Sequence, residues 1–230
     1  MIKNRTAQLM FQTAFCTLGI LGIIASFGTF NYTFRSDFYV HFTNLSNYLC
    51  IGIMFVELIE TIKKKEDSYT TKLPLLKFIG VTAILLTFII FNFMLAGDRE
   101  PALNFYINSV LFHIVLPIMY VLDWVLFYEH KKVKWTYPLI SVAFPVLYAI
   151  FIFIRAWILD FNPEAPYIYP YFFLNLEELG VLGVIKWIGI LSVVFIAIGY
   201  IMFGLDRILK KNKKERKSKK WVFQYQPKKK

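Results

Sequence analysis

Six apolar stretches, at 8–30, 38–61, 73–96, 104–128, 137–158 and 183–205, dominate this chain of 230 residues. Each reaches the roughly 20 residues that a helix needs to cross the hydrocarbon core of a bilayer. Inside lipid, backbone polar groups must be satisfied within the segment or within a closed barrel, so runs of this length can only be helices. The expected fold class is therefore all-α, a polytopic integral membrane six-helix bundle over residues 1–206 with a tail at 207–230. Composition agrees, since 57% of the residues are hydrophobic and only 18% charged, outside the range of ordinary soluble domains. The first run, Leu9 to Phe30, lacks a small-residue cleavage site and reads as the first helix rather than a signal peptide.

Charge fixes an orientation. Of 26 Lys and Arg, all but Arg35, Arg99, Arg155 and Lys186 fall on one side of the expected spans. Positively charged loops stay inside, so both termini are expected to be cytoplasmic. The acidic residues Asp37, Asp98, Glu100, Asp160, Glu164, Glu177 and Glu178 fall on the other side. The net charge of +11 is concentrated in "RILKKNKKERKSKKWVFQYQPKKK". Beside a span, such a cluster is drawn to anionic lipid headgroups by about 1 kcal/mol per basic residue. Membrane lipids are thus the expected partners, and nucleic acid is not. Cys16 and Cys50 fall inside spans, so no disulfide framework is implied. No metal-ligand spacing and no cofactor motif is present, and nothing sets the oligomeric state.

Residues three, four and seven apart share a helix face. On the second span that face carries Thr43, Asn47, Cys50, Met54 and Glu57. On the fourth it carries Tyr106, Ser109, His113, Tyr120 and Asp123, and on the fifth Ser141, Pro145, Tyr148 and Arg155. Polar stripes of this kind turn away from lipid and toward a shared interior. The third span is almost wholly apolar apart from Thr82, Thr87 and Asn92. Asp123 and Glu57 sit toward the cytoplasmic ends, where nearby lysines would pair with them.

His113 lies nine residues in from Asn104, or roughly 13 Å at 1.5 Å per residue. An ionisable group at that depth marks a functional site by default, the plainer account being a neutral histidine bridging two helices. Thr43 has a plain account too, a hydroxyl bonded back to a carbonyl one turn earlier. Together they make a nucleophile and the base that activates it. Asn47 and Asn108 are candidate donors to an oxyanion, or else interhelix hydrogen bonds. Ser109, Tyr148 and Arg155 are candidate substrate-binding residues, with Arg155 either snorkelling to the headgroups or holding a carboxylate or phosphate. The loop "DFNPEAPYIYPYFFLNLEELGVL", 160–182, is long, aromatic and proline-rich, and is expected to fold over the outer mouth as a lid.

"HFTNLSN" opening the second span, "NSVLFHIVLPIMYVLDW" in the fourth and "APYIYPYF" before the sixth resemble, in that order, motifs of the androgen-induced and androgen-dependent membrane proteins and their bacterial six-span relatives. The resemblance implies a membrane-embedded hydrolase acting on lipid esters, namely fatty acid esters of hydroxy fatty acids. It places the nucleophile on Thr43 and the base on His113, four residues before Pro117. A bacterial relative would sit in the plasma membrane. Two other classes fit the same residues: a transporter or channel for a small anion or lipid, with Arg155 and His113 along the path, or a non-catalytic membrane scaffold whose tail binds anionic lipid.

Overall fold

A computed structural model describes residues 2–31, 34–64, 66–67, 72–95, 106–159 and 168–209. The basic tail beyond Leu209, the 160–167 part of the long loop, and Asp98, Arg99 and Glu100 lie outside the described residues. Among those described there is no strand, and six helices are long and apolar enough to cross a membrane. They are α1 Arg5–Ser26, α2 Phe42–Lys63, α3 Pro74–Phe93, α4 Ile107–Phe127, α5 Tyr137–Leu159 and α6 Leu176–Leu209. The chain is thus an integral membrane six-helix protein.

Chain ends and short connections meet at one face, here called the terminal face. Asn4 caps α1 by accepting from the Ala7 amide at 2.9 Å, satisfying one of the orphan donors of a helix start. Ile2 N–H donates to the Leu126 carbonyl at the end of α4. The Arg5 guanidinium donates to the carbonyls of Thr61 and Ile62, a cation at the C-terminus of α2 where the helix dipole favours it. Asp206, near the end of α6, accepts from His130 Nδ1 at 3.0 Å and from the Lys131 amide at 2.9 Å, clamping the α4–α5 connection to α6. His130 and Asp206 are both fully buried.

Small residues let the helices close up. A methyl on Gly22 of α1 would stand 2.4 Å from the Phe112 ring of α4, and one on Gly80 of α3 would stand 2.7 Å from Tyr120 Oη. The core runs through Phe15, Cys50, Met54, Ile84, Leu116 and Trp124. By contrast α6 is the least embedded helix, and Val181, Leu182, Ile185, Val193 and Ile201 along it are exposed. In a bilayer that face meets lipid.

Helix limits depart from the sequence expectation at two places that matter for the site. The second helix begins at Phe42 rather than near 38, so His41 is its N-cap and Thr43 sits in its first turn. The sixth begins at Leu176 rather than 183, with Asn175 Oδ1 accepting from the Glu177 and Glu178 amides. That helix breaks at Gly180, whose φ of 63° is one that a residue with a Cβ rarely adopts.

Candidate functional site: a cavity around Thr43 and His113

Opposite the terminal face lies a cavity of about 470 Å³, to which α2, α3, α4, α5 and α6 all contribute. Its size is that of a small-molecule or lipid-chain pocket. Thr43, Asn108, Ser109, His113 and Tyr148 line it. The structure therefore brings five of the seven expected site residues to one space. The polar stripes converge as periodicity requires: Asn47, Cys50, Met54, Ser109, Tyr120, Ser141 and Tyr148 are all buried.

Local chemistry explains the shape of the wall at His113. Residues Leu111–Val115 form a π-helical turn inside α4. Pro117 has no N–H, so the carbonyl of His113 cannot receive the usual hydrogen bond from four residues on. The Leu116 amide reaches back to Leu111 instead, and the Phe112 carbonyl loses its helical partner as well. Two asparagines replace what the chain withdraws. Asn47 Nδ2 donates to the Phe112 carbonyl at 2.9 Å, and Asn92 Nδ2 to the His113 carbonyl at 3.2 Å. Turns of this type occur frequently at functional sites.

The same turn aims the imidazole. His113 Nδ1 lies 2.9 Å from the Ser109 carbonyl and 3.3 Å from Ser109 Oγ. A carbonyl can only accept, so Nδ1 carries the proton and, in the neutral ring, Nε2 carries the lone pair. The ring stacks on Phe91 with centroids 3.5 Å apart and planes 15° apart. With α4 starting at Ile107, His113 is six residues deep, about 9 Å. That is shallower than the 13 Å expected, and nearer the level of Thr43.

Thr43 does not form the back-bond expected of a mid-helix threonine. Its hydroxyl has no hydrogen-bond partner among the described residues, while its carbonyl accepts from Ser46 Oγ at 3.0 Å and Asn47 Nδ2 at 2.8 Å. As a first-turn residue it also brings helix-start amides to the cavity wall, and such amides favour negative charge.

The two remaining expected residues stand elsewhere. Both amide protons of Asn47 are engaged by the Thr43 and Phe112 carbonyls, so Asn47 is no oxyanion donor; it shapes the wall from behind. Of the two asparagines, Asn108 is the one at the cavity surface. Arg155 Nη1 donates to the Ile168 carbonyl at 2.9 Å and ties α5 to the loop rather than facing the cavity.

Over the cavity lie two segments that the sequence only half disclosed. The described part of the long loop does cover it, through Pro170, Tyr171, Phe173 and Leu174. Residues 34–41 form a second strap, held by Tyr148 Oη to the Val40 carbonyl at 3.0 Å and by Asn44 and Tyr48 to the Phe38 carbonyl. In it Arg35 and Asp37 make a two-point ion pair at 2.9 and 3.2 Å. Burial pushes the Asp37 carboxyl up, but the hydrogen bond and charge of Arg35 outweigh it and hold the group below its usual value. Asn92, Arg35 and Asp37 were not among the expected site residues; only their positions flanking spans hinted at them.

Fold and site together define a class: an integral membrane six-helix protein with a roofed, partly polar cavity at one end of the bundle. Comparison with known proteins adds no name to that class, because no protein-family model, no curated protein and no solved structure matches this chain.

Proposed function

We propose that this protein is an intramembrane hydrolase of lipid esters, with Thr43 as nucleophile and His113 as base. One observation carries the reading: an unengaged threonine hydroxyl and a histidine whose Nδ1 proton is pinned to a carbonyl share the wall of one roofed cavity. In this scheme Nε2 takes the Thr43 proton as the hydroxyl attacks the ester carbonyl. The oxyanion is stabilised by first-turn amides of α2 and by Asn108. Collapse of the tetrahedral intermediate expels the alcohol, which takes the proton from His113, and water then releases the acid by the same steps in reverse order.

The apolar wall, including Leu86, Ile90, Ile188 and Leu191, suits an acyl chain entering from the bilayer. Fatty acid esters of hydroxy fatty acids are the substrates that the motif resemblance implies. Transport is disfavoured because, where α2, α3 and α4 run on beyond Thr87 and His113, Asn47, Cys50, Ile84 and Leu116 are fully buried. The charge pattern supports a plasma membrane location with the terminal face in the cytoplasm, where the basic tail meets anionic lipid.

A fluorophosphonate probe tests the reading directly. Purified protein should be labelled; Thr43→Ala should abolish the label without lowering the melting temperature, and Thr43→Ser should retain it. His113→Ala should slow labelling by about 10²–10⁴. Labelling of Thr43→Ala at the parent rate overturns the hydrolase.

A further inference from the structure

Glu57, Lys77 and Asp123 form a buried charge cluster between the cavity floor and the terminal face, with no part in the reading above. Lys77 Nζ donates to Glu57 Oε2 and to Asp123 Oδ2, each at 2.6 Å. Lys77 is 1% exposed, Glu57 2% and Asp123 3%. With both carboxyls ionised, one ammonium leaves one negative charge without a counterpart, and an uncompensated buried charge is strongly unfavourable. From α1, α2 and α4 the cluster is faced by Cys16, Cys50 and Tyr120, none of which supplies positive charge. Lys64, two turns further along α2, also acts on Glu57.

Helix register places a second set of groups at this level. Phe11 of α1 packs on Phe127 of α4 with centroids 5.6 Å apart, and Phe15 on Tyr120 at 5.7 Å. Those two rungs of an antiparallel pair bracket Gln12 on α1 and Asp123 and Trp124 on α4 between them. Gln12 Oε1 and Nε2, Asp123 Oδ1 and Trp124 Nε1 are buried and have no hydrogen-bond partner among the described residues, and Tyr120 Oη, buried with them, has the Cys50 thiol beside it. Gln12 and Tyr120 are fully buried. Buried polar atoms are nearly always paired, yet here they gather where positive charge is short. Three are oxygens, the ligand that hard cations prefer.

We propose that Gln12 Oε1, Tyr120 Oη and Asp123 Oδ1, backed by the Glu57–Lys77–Asp123 cluster, form an intramembrane binding site for one alkali cation. The cation completes the charge balance and joins α1 to α4. Lys77 fixes both carboxylates and, as a cation itself, keeps divalent ions out. Binding is independent of the cavity and of any hydrolysis there.

The test uses purified full-length protein in detergent. Melting temperatures are measured in sodium, potassium and choline chlorides at one ionic strength. A bound alkali ion gives a higher midpoint in sodium or potassium than in choline. At a cation concentration a hundred times its dissociation constant, the folded-to-unfolded ratio rises about a hundredfold. Asp123→Asn removes the surplus charge and should abolish that salt dependence. Glu57→Gln removes the same charge from the other helix and should do likewise, which covers a failure of the first variant to fold. Equal midpoints of the parent in all three salts overturn the site.

Discussion

Asn47 donates one amide proton to the carbonyl of Phe112, 65 residues away in sequence, and the other to the carbonyl of Thr43 in its own helix. A single side chain therefore fastens the first turn of α2, which carries the proposed nucleophile, to the π turn of α4, which carries the proposed base.

Replacing that donor with an acceptor should be worse than removing it. Asn47→Asp keeps the shape but sets a carboxylate against two carbonyl oxygens, whereas Asn47→Leu only leaves them unpaired, at about 1–3 kcal/mol for a buried group. Thermal melts in detergent should rank parent, Leu, Asp in falling order. An Asp variant that melts with the parent contradicts the bridge.

Close approach at Gly22 predicts a position-specific cost. Gly22→Ala drives a methyl into the Phe112 ring and should destabilise by about 1–3 kcal/mol. Gly52→Ala, on the same measurement, meets nothing within 4 Å and should stay within about 0.5 kcal/mol of the parent.

Charge removal at Lys77 should be severe. Lys77→Met strands two buried carboxylates and is expected to cost about 3–5 kcal/mol. Neutralising all three positions, as Glu57→Gln with Lys77→Met and Asp123→Asn, should recover much of that loss. A triple variant less stable than Lys77→Met alone would mean that packing, not charge, dominates there.

Acid should loosen the roof of the cavity through Asp37. Its carboxyl lies lower in the folded protein than in the unfolded chain, so its stabilising effect is complete above the ordinary carboxylate range and fades as pH falls through the depressed folded value, below about pH 4. The pair is partly exposed, which limits the effect to about 1 kcal/mol or less. Cysteine accessibility at an engineered position 39 should rise in that window for the parent, and be raised and flat for Asp37→Asn.

Periodicity was enough to read the six spans and the inward faces of α2, α4 and α5, because lipid imposes one rule on every exposed position. It also brought Thr43 and His113 toward the same end of the bundle. What it missed are matters of termination and partnership. The polar "HFTN" marks a helix start at Phe42, not polar residues sunk mid-span, and only capping geometry separates those cases. The effect of Pro117 on His113 was foreseeable, but the asparagines that compensate sit on other helices. Pairing of Glu57 and Asp123 with a nearby lysine was legible; that Lys77 serves both at once was not, since nothing local shows that it points inward.

The order in which the buried ions appear during synthesis has its own consequence. Glu57 precedes Lys77 by 20 residues, and Asp123 follows Lys77 by 46. At about 5–20 residues per second, Glu57 waits about 1–4 s for its ammonium, and the pair waits about 2–9 s more for Asp123. During each interval a charge-bearing helix has no finished bundle to enter. The hairpin of α2 and α3 is thus the smallest unit in which the Glu57 carboxylate meets its ammonium, and α4 is the last element the charge set needs.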